Sequence, residues 1–168
     1  MTHASEPNYV LRHGSLALNA AGRDLTERMS ETNRAMERLN RSWIGAFIAA
    51  LFVDRPWLAS FRLTIGASYE FDDSGGTYLS YWSAVSEVAC VDSCPTPAAL
   101  CGHGALDADL VAEELRGAIE CHERTFLEIV RGDGGGTATL SFRRCALAGL
   151  LDHAEIAGSA AYAALAID

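Results

Sequence analysis

The sequence predicts an α+β fold: a small three-stranded sheet built on a β-hairpin and covered by helices, in the order α-β-β-α-β-α. Three observations predict it. Residues 61–71, FRLTIGASYEF, alternate apolar and polar with period 2 over eleven positions, the strongest periodic signal in the chain. The turn Asp72-Asp73-Ser74-Gly75-Gly76 follows and leads into a second β-rich run. On either side lie stretches with apolar residues at helical spacing, one ending before Pro56 and one opening at Asp107.

Residues 1–23 show no sustained periodicity and predict a flexible N-terminal arm, with one short strand at Tyr9–Arg12. Residues 24–168 are expected to form a single domain, since 168 residues can bury one sizeable core. Asp24 and Glu27 have the spacing of a capping box, and a helix is expected from there to about Asp54. Leu25, Met29, Met36, Leu39, Trp43 and Phe47 make its apolar stripe, and Glu27, Arg28, Glu31, Arg34, Arg38 and Arg41 its charged face. Pro56 disfavours helix at Arg55 and turns the chain into the hairpin.

In the first hairpin strand Phe61, Leu63, Ile65, Ala67, Tyr69 and Phe71 share the face expected to be core. The return strand, 77–91, alternates less well: Tyr78, Leu79, Tyr81 and Trp82 fall on both faces. Either both faces are partly buried or a bulge shifts the register. Residues 92–105 are a Pro/Gly/Cys-rich connection. Asp107 caps a helix expected to run to about Val130, with Val111, Leu115, Ile119, His122, Phe126 and Ile129 inward. Gly132 to Gly136 end it as a flexible link, and Thr137 to Arg144 form a third strand. A right-handed crossover would set that strand parallel to the second. The Ala-rich remainder, 145–168, has helical spacing with a break at Gly158-Ser159.

The formal net charge is -9, and all thirteen basic residues are Arg. Direct binding to duplex DNA is disfavoured, because counterion release from phosphates needs clustered cations. Without Lys there is no Schiff-base amine. The acidity is uneven. Residues 1–53 carry six Arg against five acids, residues 54–104 two against six, and residues 105–133 three against eight. The hairpin, its loop and the second helix are therefore the acidic part. The first residues lack a signal peptide's apolar core, and Trp43–Val53 is too short to span a bilayer. Five Cys, an odd number without secretory context, suit reduced thiols in a cytoplasm.

Two constellations stand out. Cys90, Cys94, Cys101 and His103 lie within fourteen residues and supply four N/S ligands, so zinc is the cofactor they would hold. Their C-x3-C-x6-C-x-H spacing is not that of a zinc knuckle, and free thiols in a stiff loop are the simpler expectation. The second is aromatic and acidic. Glu70, Asp72, Asp73, Tyr78 and Tyr81 on the hairpin, with Glu113 and Glu120 on the second helix, are the candidate partner-binding residues. Cys121-His122 cannot meet, because neighbouring helix positions diverge by about 100°. Asp152-His153 has no nucleophile at a useful spacing. Gly132–Gly136 follows a helix and lacks Lys-Ser/Thr, so it is no phosphate loop. No catalytic residue emerges, and a non-enzyme is favoured.

In size and charge alone the chain resembles compact acidic proteins of phages and plasmids that block host defence nucleases. The expected function is therefore a small acidic binding or inhibitory protein acting by protein–protein contact. The resemblance implies a phage- or plasmid-encoded inhibitor of a host nucleic-acid-binding defence complex, of anti-CRISPR or anti-restriction type. Its partner would be a protein with a basic surface, with no membrane involved. The alternatives are a zinc-stabilised small domain or a small enzyme of unknown reaction. A homodimer is compatible with each.

Overall fold

The computed structural model describes residues 6–102, 105–131 and 136–167. The chain divides into two compact units, residues 1–39 and 40–168.

In the first unit, β1 (Tyr9–Arg12) and β2 (Ser15–Leu18) form an antiparallel hairpin with Tyr9 opposite Leu18. His13 and Gly14 turn it with φ of 50° and 80°, the two positive angles a tight two-residue hairpin turn requires. Helix α1 (Ala20–Asp54) then begins. Its N-cap is Asn19, whose Oδ1 accepts the Gly22 N–H at 2.8 Å. Asp24 and Glu27, expected as a capping box, instead lie one turn inside the helix. An Asn three residues before a backbone N–H serves as well, and the hairpin delivers the chain to that point.

The second unit is α+β. After the last part of α1 come β3 (Leu58–Phe71) and β4 (Thr77–Cys90), a short ribbon of β5 (Cys101–Gly102) and β6 (Ala105–Leu106), helices α2 (Ala108–Ile119) and α3 (Glu123–Arg131), strand β7 (Gly136–Arg143) and helix α4 (Gly158–Leu165). The main sheet has the order β4-β3-β7, with both pairings antiparallel. The third strand thus runs in the same direction as β4, as expected of the crossover, but hydrogen-bonds to β3. The connection from β4 passes through α2 and α3 and lands on the far edge of the hairpin.

One face of the sheet carries Phe61, Leu63 and Ile65 of β3 with Leu140 and Phe142 of β7, all buried. Against it pack Ile44, Ile48 and Phe52 of α1, Val111, Leu115 and Ile119 of α2, and Phe126 and Leu127 of α3. The rings of Phe52, Phe61 and Phe142 are in contact, with centroids 5.9 and 5.1 Å apart.

Asp107 caps α2 as expected, its Oδ1 accepting from the N–H of Asp109 and Leu110 at 3.1 and 3.2 Å. The expected single helix to Val130 is broken: a 3-10 turn at Glu120–His122 separates α2 from α3. The apolar stripe continues across the break. His122 lies edge-on to Trp43 and Phe47, at 5.2 and 5.0 Å, in an aromatic group completed by Phe126. The Ala-rich tail is less helical than expected. A 3-10 turn at Arg144–Leu147 and loose turns precede α4, which Gly158 opens and does not interrupt. The expected link at Gly132–Gly135 lies outside the described residues.

Arginine ties these elements together. Arg144 donates to the carbonyls of Phe52 and Arg55 at the end of α1. Arg55 grips Glu114 of α2 through Nε and a terminal nitrogen, at 3.0 and 2.6 Å.

Candidate interaction surface

The hairpin is longer than the core it helps to cover. β7 pairs with β3 from Ser60 to Ala67, so among the described residues the ribbon beyond Ala67 has two strands. Residues 68–78 are all exposed, on both faces. Tyr69 and Phe71 continue the core-facing row, yet are 74% and 78% exposed. They were expected in the core. Their period is right, but among the described residues neither β7 nor a helix covers them.

The tip chemistry is divided. Asp72 is a structural turn residue: its Oδ1 accepts from the Ser74 N–H at 2.9 Å, the Ser74 hydroxyl at 2.7 Å and the Gly76 N–H at 2.6 Å. The Ser74 hydroxyl foremost, then the Gly76 N–H, hold its carboxyl below the usual aspartate range. Asp73 stands exposed beside it. Glu70 and Tyr78 are register partners, and the Tyr78 hydroxyl donates to Glu70 Oε2 at 3.0 Å. That bond to a carboxylate raises the phenol above its ordinary value. Tyr81 is opposite Ala67 on the other face, half-buried against the core, so it does not extend the Tyr78 surface.

Glu113 and Glu120 are exposed on α2 and the turn after it. Glu113 is bound by Arg116 at 2.5 and 3.1 Å, and this hydrogen-bonded cation lowers its carboxyl pKa. These two acids stand on a different element from the tip.

The outer face of the sheet is lined with small hydroxyl residues and one large ring. Trp82 is the register partner of Gly66, and a Cβ on Gly66 would lie 2.3 Å from the indole Cζ2. Glycine there lets the indole lie across the strand, leaving Trp82 40% exposed. Thr64 and Thr139 bridge through their hydroxyls at 3.2 Å. The sequence reading did not single out this pair. The signal was present, because a glycine inside a strand marks a close approach. The irregular alternation of β4 has two causes. Tyr78 and Trp82 populate the outer face, and a bulge near Glu87, with φ of 50°, shifts the register between Ser60 and Arg62. Glu87 there pairs with Arg62.

The four proposed metal ligands are only partly described. Cys90 and Cys94 pack against the core, and the Cys101 thiol donates to the Pro97 carbonyl at 3.6 Å. His103 lies outside the described residues. Among the described residues, no three His, Cys, Asp or Glu side chains are grouped as metal ligands.

Buried Glu123 accepts a hydrogen bond from Ser83 on the core side of β4. A groove of about 550 Å³ beside β7 is lined by Ser60, Arg143, Cys145, Leu151 and Asp152, among others. Arg144, which also lines it, is committed to the α1 carbonyls. Among the described residues, no helix is long and apolar enough to cross a membrane. No protein-family model, curated protein or solved structure matches the chain.

Proposed function

We propose that this chain is a non-enzymatic binding protein that inhibits a basic, nucleic-acid-binding partner by inserting its acidic hairpin tip. The observation that carries the reading is the ribbon exposed on both faces beyond Ala67. Rings of Tyr69 and Phe71 stand on one side and Tyr78 on the other, with Glu70 beside Tyr78 and Asp73 in the turn. Three rings of ~150–250 Å² each, half to three-quarters exposed, leave roughly 300–500 Å² of coverable surface, the size of a functional patch. A finger open on both sides suits a cleft better than a flat surface. The negative charge suits a cleft built to hold phosphates. Phage- or plasmid-borne inhibition of a defence complex in a reducing cytoplasm is the setting in which such a protein would act.

The test is affinity capture from a bacterial extract, with bound proteins identified by mass spectrometry. A Tyr69→Ser/Phe71→Ser/Asp73→Arg variant serves as comparison, and Asp72 stays intact to keep the turn. The expected result is a nucleic-acid-binding protein held by the wild type and lost by the variant. It should also be released between about 0.1 and 1 M salt, where the Debye length falls from ~10 to 3 Å. A partner held equally by both proteins would remove the hairpin from the interface.

A further inference from the structure

Leu25, Met29, Thr32, Met36 and Leu39 follow one another at spacings of 4, 3, 4 and 3 along α1. That spacing matches the 3.5-residue period of a coiled-coil seam. The four apolar members are between 39% and 62% exposed, and residues 31–41 are exposed throughout. A polar-backed helical stretch of this length is marginal in water without a packing partner. The far side is sharply different: of the eight heptad positions there between 23 and 38, all but Ser30 are charged.

We propose that this part of α1 pairs with the same helix of a second copy as a two-stranded coiled coil. A groove of about 420 Å³ is already present on the seam, lined by Leu25, Arg28, Met29, Thr32 and Asn33. The first four stand at i, i+3, i+4 and i+7, the four-residue hole that receives one knob from a facing helix. Its occupant is an unbranched or branched apolar side chain on a helix with the same period, which the seam itself supplies.

Charge argues for a copy over a different protein. The positions flanking the seam are Thr26, Arg28, Asn33 and Ala35, with one charge among them. Those positions select a heteromeric partner through opposite charges, and here they carry no such code. Residues 20–40 hold four Arg against four acids, so two copies meet without net repulsion, although the whole chain is at -9.

Sedimentation equilibrium of the full chain at about 50 µM tests this. The expected mass is about 36 kDa, twice the 18.0 kDa chain. Met29→Glu/Met36→Glu should give a monomer with an unchanged near-UV spectrum, because both side chains lie outside the buried core. Arg34→Glu, on the far side, should remain dimeric, as should the hairpin-tip variant above. A monomeric or trimeric wild type overturns the proposal, as does a double variant that stays dimeric. A monomer that pairs only with another protein counts equally against it.

Discussion

Replacing Gly45 with Ala should destabilise the second unit, although alanine is the better helix former. Gly45 lies in α1 where α4 crosses it. A Cβ there would fall 2.0 Å from the Gly158 carbonyl oxygen, 2.4 Å from the Tyr162 nitrogen and 2.9 Å from the Tyr162 Cβ. Two of these are backbone atoms, so no rotamer change relieves the overlap and the helices must separate by more than an ångström. Overpacking of this kind costs about 3 kcal/mol, and the propensity gain of Gly→Ala in a helix returns about 1 kcal/mol. The net loss is then about 2 kcal/mol, a fall in Tm of roughly 4–8 °C for a chain of this size. Gly117 in α2 is the internal control. It is exposed and a Cβ there meets nothing within 4 Å, so Gly117→Ala should raise stability by up to about 1 kcal/mol. Thermal and urea unfolding followed by circular dichroism measure both. If Gly45→Ala is neutral or stabilising while Gly117→Ala behaves as expected, the close crossing of α1 and α4 is wrong.

Asp107→Ala removes the cap of α2 and should cost about 1 kcal/mol in urea unfolding, with Asp107→Ser recovering most of it. The two hairpin titrations have opposite signs. The Asp72 carboxyl is held below its ordinary 3.8, so its support of the turn is complete above that value and is lost as pH falls through the folded midpoint. The Tyr78 phenol is raised above its ordinary 10.0, so its bond to Glu70 is complete below that value and is lost as pH rises through the folded midpoint. NMR titration should show both, and Glu70→Gln should return Tyr78 toward 10.0. Chelation should leave Tm unchanged, because Cys90 and Cys94 are half-buried thiols packed against the core. A fall in Tm accompanied by release of about one zinc per chain would instead establish a zinc site, with Cys90, Cys94, Cys101 and His103 its candidate ligands.

Much of the fold is local and was legible. The period-2 row from Phe61 to Phe71, the Asp72–Gly76 turn and the Asp107 cap each depend on residues a few positions apart. Patterning therefore specifies them without tertiary help. The N-cap of α1 was missed by five residues, Asn19 against Asp24, because the two caps were chemically equivalent and only the preceding hairpin decided between them. The split of the second helix was invisible because the apolar stripe runs through it unbroken. Of the candidate surface, the acidic turn was readable, but not which aromatics are exposed. Tyr69, Phe71 and Tyr81 share one face by period, and only Tyr81 finds cover.

The sequence by itself determined which residues alternate, where the chain turns, where the charge concentrates and that α1 carries an apolar stripe. Those follow from backbone geometry and side-chain chemistry over short separations. Only the tertiary structure decided how far each pattern is covered. Among the described residues β7 reaches only to Gly136 opposite Ala67, so an ideal strand is core at one end and an exposed ribbon at the other. The stripe of α1 is half-buried at Trp43 and Phe47 and open from Leu25 to Leu39. Burial is set by what arrives from distant parts of the chain, and periodicity carries no record of where that supply ends.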